Sequence, residues 1–568
     1  MITDWTPVRE AVIVARQARV EAGKAVLAAV EKFDGGLTER AGAKELSIPR
    51  STLRGRISRF KMLDVERKTY EFFTSEAGII FIQRITDSIL LFGNQLSGFG
   101  LRLVESVLRT SGLDRFVACS ASYLGNRADS MGGLIADFEK LERPRLSAAM
   151  PFRFISTLGD ETWLDRMHLV AMESISSFIL VEEPAERRDG ETWNLAVCRG
   201  LEGFNVKIAQ VTSDEGKGLL NYTKSILGVN HSPDLFHIQR EISRGMAASL
   251  AAQIRSADKA VSNEEKALAA LKMAQQDAVA ERRGQGRPVD WAGRISVATQ
   301  TLAASLRRSE QAVERQKKFR ECLRGMSEDY HPVDMGWGTL RLPRDLEKRL
   351  QARFFTLHDI IREAQLPEYA SKAVEKAERV LSEMVTTLSF VHGEWERFVE
   401  NLEVSSKAAW QIHARLLPAA YLERIAATTR KDKKKQLFAQ AAALRKLAFE
   451  AGTEIDTYSK EQRDSLMAKC SEQSYLFQRS SSPLEGRNGR LSQMYSIGRG
   501  ISSKSIKVLT ILSNYLVERP NGTTAAERFF GKKPLDLVEW VFARMPVYAA
   551  SRKTILAPMM LSSNVLVN

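Results

Sequence analysis

The sequence predicts an α+β protein of several domains, and three observations favour this fold class. Alternation of apolar and polar residues, which is typical of strands, is concentrated between Pro151 and Thr212. After Arg240, about 240 residues are rich in Ala, Leu, Lys and Glu and carry no strand pattern. The length of 568 residues is sufficient for two to four domains and a large core.

Composition limits the class of protein. The net charge of +14 and the pI near 9.5 predict a polyanionic partner, since Lys and Arg neutralise phosphates, although a merely basic surface would give the same numbers. The four cysteines have no paired spacing, which argues against a zinc site and a disulfide framework and fits a reduced compartment. The N-terminus is an amphipathic helix and not a secretory signal. The apolar stretch Gly78 to Gly93 contains Arg84 and Asp87, so it predicts a buried helix. We therefore expect a cytoplasmic bacterial protein, associated with the nucleoid, with no membrane partner.

The N-terminal region predicts a helix-turn-helix. A long helix over residues 1–32 ends at Asp34-Gly35-Gly36, and Thr38 caps a short second helix. Ser47-Ile48-Pro49 forms a turn, and the next helix runs from Ser51 with Leu53, Ile57 and Phe60 inward. The alternative is an ordinary helical hairpin with a basic face. The residues expected to face the DNA groove and its phosphates are Arg50, Ser51, Thr52, Arg54, Arg56 and Arg59.

Strand patterns begin after the boundary that Pro144 and Pro151 mark. FRFISTLGDETWLD predicts a strand ending in the carboxylates Asp160, Glu161 and Asp165, and MHLVAMESISSFILVEE predicts a second strand or a tight pair. A third strand is expected at Trp193–Cys198. A further strand ends at Thr212 and runs into Ser213-Asp214-Glu215-Gly216-Lys217-Gly218, followed by a helix of about ten residues and a turn that ends at His237.

The chain divides into five parts on these patterns. Ser243 to Arg283 and Trp291 to Arg324 predict an antiparallel helical hairpin interrupted at Gly284–Pro288, with more helices near 345–364, 368–400, 404–428 and 434–452. The run Arg430 to Lys435 is either a solvated loop or a phosphate clamp. The parts are a helix-turn-helix region 1–62, a helical DNA-binding or linker domain 63–148, the first part of a mixed core 149–240, an all-helical insertion 241–478, and the second part of the core with C-terminal helices 479–568.

Three carboxylates lie on elements that the sequence predicts to be rigid. Asp160 and Asp214 lie at strand ends, where ligands bind in open α/β sheets. Glu485 lies early in a helix that Pro483 can initiate, with Asn488 and Ser492 on the same face. Three carboxylates brought together would repel one another and raise at least one pKa unless cations occupy the site. Because Mg²⁺ prefers hard oxygen ligands, such a cluster is better explained by metal than by acid–base catalysis.

These residues carry a resemblance to a known family. The blocks GDETW, VTSDEGKGL with PDLFH, and SPLEGRNGRLS resemble the three signature blocks of DDE-type insertion-sequence transposases with an RNase H-like catalytic domain, and the tail NYLVERPNGTTAAERFFGKKPLDL resembles their ending. The resemblance covers roughly 150–240 and 480–540. It implies an RNase H-like mixed α/β core in which the first Asp is on the first strand, the second follows the fourth, and the Glu is on a later helix. The long all-α insertion departs from the compact plan of the family.

The resemblance also implies roles for particular residues. Asp160, Asp214 and Glu485 would be the catalytic ligands of two Mg²⁺ (or Mn²⁺) ions, and His237 of the D-x-x-H block would support catalysis or be a structural histidine. Asp234 could replace Asp214, and Glu485 could be a helix N-terminal acid that interacts only with the helix dipole. Glu161 should point away from Asp160, because successive strand residues face opposite sides. DNA contacts are expected at Lys217, Arg487 and Arg490.

The resulting expectation is a transposase that cleaves and joins double-stranded DNA at the ends of a mobile element, as a homo-oligomer. One alternative is a DNA-binding regulatory or architectural protein derived from such an enzyme. A second is an RNase H-like nuclease that cleaves without joining ends. An intact carboxylate triad argues against the binding-protein alternative.

Overall fold

The chain is mostly helical and has one small mixed five-stranded sheet, which confirms an α+β fold. The computed structural model describes residues 6–280, 289–498 and 500–549. Within these ranges, no helix combines the length and apolarity needed to cross a bilayer.

The N-terminal third is helical and begins with a long helix followed by two shorter ones. Thr38 caps the second helix by accepting a hydrogen bond from the backbone N–H of Ala41, and the following turn places Leu53 and Ile57 in a small core with Ala29 and Ala43. A π-helical segment, Ile89–Leu96, continues α5, and a short 3₁₀ turn, Leu113–Arg115, precedes α7. The helices are α1 Thr6–Asp34, α2 Glu39–Glu45, α3 Arg50–Leu63, α4 Arg67–Thr74, α5 Glu76–Ser88, α6 Leu101–Thr110 and α7 Ala121–Ser147.

The sheet has the order β3-β2-β1-β4-β5. Strands β1, β2 and β3 form an antiparallel meander, whereas β4 pairs parallel to β1 and β5 parallel to β4. Helices connect the parallel strands, as such crossovers require. The elements are β1 Arg153–Trp163, β2 Met167–Glu173, β3 Ile179–Pro184, α8 Gly190–Leu201, β4 Val206–Ser213, α9 Lys217–Leu220 with a π-helical continuation Asn221–Ile226, and β5 Asn230–Pro233.

An all-helical unit follows β5 and has a core of its own. Its first two helices form the expected long antiparallel pair. The expected break at Gly284–Pro288 lies outside the described residues. The helices are α10 Leu235–Ala280, α11 Trp291–Asp329, α12 Pro343–Glu363, α13 Glu368–Glu378, α14 Leu381–Glu400, α15 Ser406–Gln411, a π-helical segment Ile412–Leu416, α16 Leu417–Thr428, α17 Lys431–Ala448 and α18 Lys460–Ser474.

The chain then returns to the sheet. Helix α19 covers one face, where Leu484 packs with Leu158 and Val170, and α20 joins the larger core with α7 and the opposite face of the sheet. The N-terminal helices, the sheet and the C-terminal helices thus share one core, which the helical unit interrupts only in sequence. The last helices are α19 Ser482–Gly498, α20 Ser503–Tyr515, α21 Ala525–Phe530 and α22 Leu537–Phe542.

Two expectations about the elements were wrong. Trp193–Cys198 is not a strand but part of α8, because Asp189 caps a helix whose buried residues Trp193, Ala196, Val197 and Gly200 follow the helical period. The turn before Asp234 contains a fifth strand, β5. Pro144 lies inside the last turns of α7, and the change from helix to strand falls between Ser147 and Arg153, at the expected boundary.

Candidate active site

Asp160 lies in β1 at the point where its neighbouring strand leaves the sheet. The pairing of β1 with β4 ends at Gly159–Ser213, whereas its pairing with β2 continues to Trp163. Asp160 shares a face with Leu158, which packs under Leu484 of α19. Its Oδ1 accepts a hydrogen bond from the backbone N–H of Glu161 (2.8 Å) and its Oδ2 one from Asn488 Nδ2 (2.7 Å). The strand therefore presents this carboxylate to the N-terminal part of α19.

Glu161 points to the opposite face, as strand alternation requires. Its Oε1 lies 3.4 Å from Trp193 Nε1 of α8, and its Oε2 lies 3.6 Å from Arg188 Nη1. The expectation that Glu161 turns away from Asp160 is confirmed. Asp165 lies beyond the end of β1 and is exposed.

Asp214 is the first residue after β4, directly beside Asp160 across the last β1–β4 pair. Neighbouring strands lie about 4.8 Å apart, so Asp160 within β1 and Asp214 just beyond β4 lie side by side. Asp214 Oδ1 accepts a hydrogen bond from the backbone N–H of Gly216 (3.1 Å), which turns the chain into α9. One carboxylate oxygen is thus fixed by the turn, and the side chain is only partly buried.

Glu485 comes to the same edge from α19. Leu484, Arg487 and Leu491 form the buried stripe of this helix, so Glu485 and Asn488 occupy the adjoining stripe, on the side of Asp160. Glu485 Oε1 lies 3.2 Å from His237 Nε2, and about one third of its side chain is exposed. Asn488 Oδ1 is buried without a hydrogen-bond partner, although the Nδ2 of the same side chain is engaged.

Asp234 joins the entrance and the exit of the helical unit. Its Oδ1 accepts from the backbone N–H groups of Phe236 (2.7 Å) and His237 (3.3 Å) at the start of α10. Its Oδ2 accepts from the backbone N–H of Ser481 (2.9 Å) and from the Ser481 hydroxyl, directly before α19. His237 Nδ1 lies 3.2 Å from the same Oδ2. Both oxygens of Asp234 therefore accept hydrogen bonds from protein donors. Among the residues that the structure describes, only Oδ1 of Asp214 does so.

The charges at this edge interact strongly. Burial raises the pKa of Asp160 to about 7, and the negative charges of Asp214 and Glu485 add to the increase. The pKa of His237 is raised, chiefly by Asp234 and also by the charges of Asp160 and Asp214. Burial opposes ionisation of Asp234, but its contacts with His237 and Ser481 outweigh that effect and lower its pKa. The structure thus brings together all four residues that the sequence predicted for catalysis: Asp160, Asp214, Glu485 and His237.

A buried polar chain behind Asp214 was missed by sequence reasoning. Ser213 Oγ lies 3.0 Å from His231 Nε2, and His231 Nδ1 lies 2.7 Å from Glu383 Oε2 of α14. This hydrogen bond to His231 is the main cause that holds the pKa of Glu383 at about 2. Ser213 and His231 are buried, so the chain is a support and not an exposed nucleophile. The only sign of this chain in the sequence is His231, which lies in a predicted turn. Glu383 is too remote in sequence to be linked to it.

The donor set at the edge of the sheet fits a divalent cation by its chemistry. Asp160, Asp214 and Glu485 offer hard carboxylate oxygens. The pKa of Asp160 is raised by burial and, to a smaller extent, by the charges of the other two, and a cation would offset both effects. In the ranges that the structure covers, no three or more His, Cys, Asp or Glu side chains already surround a single point as a metal would require. Glu485 Oε1 instead contacts His237 Nε2, at 3.2 Å.

The residues predicted to contact DNA divide into two groups. On α3, Ser51, Thr52, Arg50, Arg54 and Arg59 are exposed and Arg56 is half-buried. Glu39 of α2 pairs with Arg50 (2.9 Å) and Arg54 (2.8 Å), and these hydrogen bonds lower its pKa to about 2. Lys217 is exposed at the start of α9. Arg490 is half-buried and donates to the carbonyl of Leu96 (2.7 Å).

The DNA contact expected of Arg487 was wrong. Arg487 is 7 % exposed and donates from Nε to Glu182 Oε1 (2.7 Å) and from Nη1 to Ser513 Oγ (2.7 Å), with a further contact from Nη2 to the same carboxylate. Glu182 is a β3 residue whose side chain is fully buried. A guanidinium committed to a buried carboxylate is not available to phosphate, so Arg487 attaches α19 to the sheet.

Comparison with known proteins gives one match. A family model described as "Family of unknown function (DUF6399)" matches residues 412–556. This stretch runs from the helical unit past α22 and includes Glu485, but neither Asp160 nor Asp214. No curated protein and no solved structure matches the chain.

Proposed function

We propose that this protein is a DNA transposase of the DDE type, which cleaves and joins DNA strands at the ends of a mobile element. The observation that carries the proposal is the meeting of three carboxylates from distant parts of the chain. Asp160 of β1, Asp214 after β4 and Glu485 of α19 face one edge of the sheet, where burial first, and then the charges of Asp214 and Glu485, raise the pKa of Asp160 to about 7. Such mutual repulsion destabilises the fold, so a cluster of this kind is best explained by function.

The arrangement of elements supports an RNase H-like core within this proposal. The transposase resemblance implies a first Asp on the first strand, a second after the fourth strand and a Glu on a later helix. Asp160, Asp214 and Glu485 occupy these positions in a mixed sheet of order β3-β2-β1-β4-β5. The all-helical unit lies between the second and third carboxylates, and this long insertion departs from the compact plan of the family.

Asp160, Asp214 and Glu485 would hold Mg²⁺ or Mn²⁺. When bound, two such ions would activate a water or a 3′-hydroxyl and stabilise the leaving oxygen of an in-line phosphoryl displacement. Asp214 is a better ligand than Asp234, because protein donors occupy both oxygens of Asp234. The role of Asp234 is to hold His237 and the start of α19 in place.

His237 would then act on Glu485 and on the charge of the site. Its pKa is raised, chiefly by Asp234, so it holds its proton to a higher pH than a free histidine, and its Nε2 contacts Glu485. A protonated His237 partly offsets the three carboxylates before a cation enters. It also places one positive charge close to where a scissile phosphate would lie.

DNA binding is assigned to α3 and to the surface near α9. Leu53 and Ile57 anchor α3, so its exposed face carries Arg50, Arg54 and Arg59 together. Glu39 holds two of these arginines in the free protein, and phosphates would compete for them. Synapsis of two element ends requires at least two copies, so we propose a homo-oligomer on DNA.

Strand cleavage and joining on labelled duplex DNA tests the proposal. Binding sites are first selected from a random duplex library with the full-length protein, and the selected DNA is then incubated with Mg²⁺ or with EDTA. Asp160→Ala, Asp214→Ala and Glu485→Gln should each lose Mg²⁺-dependent cleavage and retain DNA binding. Asp165→Ala, an exposed carboxylate just beyond β1, is the matched control and should cleave normally.

The outcomes separate the alternatives. Cleavage without joining would favour an RNase H-like nuclease. Binding without any cleavage, at every metal concentration, would contradict the enzyme and favour a DNA-binding protein derived from one.

A further inference from the structure

Two arginines of α3 share one carboxylate of α2. Arg50, the first residue of α3, donates from Nε to Glu39 Oε2 (2.9 Å). Arg54, one turn later, donates from Nε to Glu39 Oε1 (3.1 Å) and from Nη2 to Glu39 Oε2 (2.8 Å). The contact with Arg54 is bidentate, so it fixes the plane of the guanidinium group as well as its position. One glutamate therefore orients two cations on the helix to which DNA binding is assigned.

The position of Glu39 is itself fixed by the fold. Glu39 is the first residue of α2, where the helix dipole favours a negative charge, and Thr38 caps that helix. Helices α2 and α3 pack together through Ala43 and Leu53. The turn between them is closed by a hydrogen bond from the backbone N–H of Ile48 to the carbonyl of Ala43 (3.0 Å). The carboxylate therefore has a defined place relative to α3.

Both arginines keep donors available on their outer side. The side chains of Arg50 and Arg54 are 54 % and 63 % exposed, whereas that of Glu39 is 26 % exposed. A guanidinium group has five N–H donors. Glu39 accepts from one donor of Arg50 and two of Arg54, and no other acceptor among the described residues engages these two side chains. The end of Arg54 that carries Nη1 and Nη2 can still make a bidentate contact.

Stability does not explain this arrangement. Exposed ion pairs contribute little to the free energy of unfolding, and holding two long side chains in one geometry costs rotamer freedom. A guanidinium group held in a fixed plane suits a ligand with two neighbouring acceptors. Guanine presents such a pair, O6 and N7, in the major groove, whereas adenine presents a donor in place of O6. Phosphates can compete with Glu39 on any DNA, but guanine can be bound while Glu39 keeps its contacts.

We propose that Arg54 and Arg50 read guanines in the major groove and that Glu39 is the positioning residue that orients them. Four residues of an α-helix span about 6 Å, and successive base pairs are about 3.4 Å apart, so the two guanines should lie within about three base pairs of each other. The inference rests on the proposed function, since it takes α3 as the helix that enters the groove.

Equilibrium binding in EDTA tests the reading of guanine without any chemistry. The probe is a fluorescent duplex selected by wild type from the random library, in which one guanine at a time is replaced by 7-deazaguanine. This base still pairs with cytosine and lacks only the N7 acceptor. Wild type should bind the substituted duplex about 5-fold more weakly at a guanine that Arg54 reads. Arg54→Lys keeps the charge but not the planar fork, so it should bind both duplexes equally.

Glu39→Gln tests the positioning role. This variant should bind unselected DNA at least as tightly as wild type, because a negative charge is removed, but its penalty for 7-deazaguanine should fall to about 2-fold or less. Glu45→Gln is the matched control, since it removes the carboxylate that ends the same helix and pairs with Lys32 (2.6 Å), and it should keep the full penalty. Arg59→Gln should weaken binding of every duplex alike and reduce the slope of log Kd against log salt by about one.

The proposal is overturned if no guanine of the selected DNA shows the penalty, or if Arg54→Lys retains it. A Glu39→Gln variant that gains affinity for every duplex and keeps the full penalty would contradict the positioning role. These results are separate from strand cleavage. Cleavage that requires the three carboxylates, with no penalty for 7-deazaguanine, would refute the reading of guanine alone. A penalty that depends on Arg54 and Glu39, in a protein that never cleaves, would refute the transposase alone.

Discussion

Replacing Asp160 by Asn should make the protein more stable at pH 8 when divalent cations are absent. The pKa of Asp160 rises from 3.8 to about 7 in the folded protein, because burial and two nearby carboxylates oppose ionisation. A folded pKa above the unfolded one means that the folded state binds the proton more tightly. The stability that Asp160 contributes is therefore complete below pH 3.8, decreases as the pH rises, and is lost above pH 7.

The size of the effect follows from the shift. About three pKa units at 1.36 kcal/mol per unit give about 4 kcal/mol at pH 8. An asparagine keeps the hydrogen bond from Glu161 but presents an N–H group to Asn488, whose unpartnered Oδ1 can accept it only if that amide turns over. We subtract about 1 kcal/mol for this exchange. The expected gain is about 3 kcal/mol at pH 8 and much less at pH 5.

Thermal unfolding in EDTA at pH 5, 6 and 8 measures the gain as a shift in the transition of the sheet-containing unit. Asp165→Asn removes the same charge from an exposed position and should change stability by less than about 0.5 kcal/mol. Mg²⁺ should raise the Tm of wild type at pH 8 and leave that of Asp160→Asn unchanged. The reasoning is refuted if wild type is equally stable at pH 6 and pH 8 and the two asparagine variants unfold together.

Three further predictions concern other groups around the site. Arg487→Ala leaves the buried Glu182 carboxylate without its main partner and should cost about 3–5 kcal/mol of unfolding free energy, whereas Arg490→Ala should cost about 1 kcal/mol or less; denaturant unfolding measures both. Glu383→Gln should weaken Mg²⁺-dependent cleavage about 10-fold and leave DNA affinity in EDTA unchanged, because it loosens the support behind Asp214. His237→Gln should lower stability more at pH 6 than at pH 9: the stability that a raised pKa contributes is complete below 6.5 and is lost as the pH rises through the folded value. An equal loss at both pH values would contradict the protonated state of His237.

The sequence was sufficient to predict the elements whose residues follow a clear period. Strand β4 and the β2–β3 pair have alternating or continuous apolar residues, and α19 has Pro483 at its start and a buried stripe. Strand β5, Asn-His-Ser-Pro, has no apolar side chain except that of Pro233, and its buried polar groups are satisfied by α14 and by the chain before α19. A strand that is buried through hydrogen bonds leaves no hydrophobic pattern to read. The prediction of a strand in place of α8 was wrong for a related reason. A short apolar run fits both the helical and the strand period.

Pairing between distant residues could not be predicted. Arg487 looked like a surface cation because its partner, Glu182, lies on a strand that is separated from it by the whole helical unit. The choice between Asp214 and Asp234 likewise depended on the donors that surround each carboxylate, and the donors of Asp234 include Ser481. Residue type and spacing identified the candidates, whereas tertiary contacts show which of them are already engaged by partners within the protein.

The helical unit is more than an insertion that the core tolerates, because its two ends are joined at the carboxylates. The backbone N–H of Leu235 donates to the carbonyl of Arg479 (2.9 Å), and Ser232 Oγ donates to the carbonyl of Gln478 (2.6 Å). Asp234 then connects the first turn of α10 to Ser481, four residues before Glu485. On the other side of the site, Glu383 of α14 supports Asp214 through His231 and Ser213. Any movement of this unit against the sheet must therefore displace Glu485, Asp214 or both, so the position of the helical unit and the assembly of the three carboxylates are mechanically coupled.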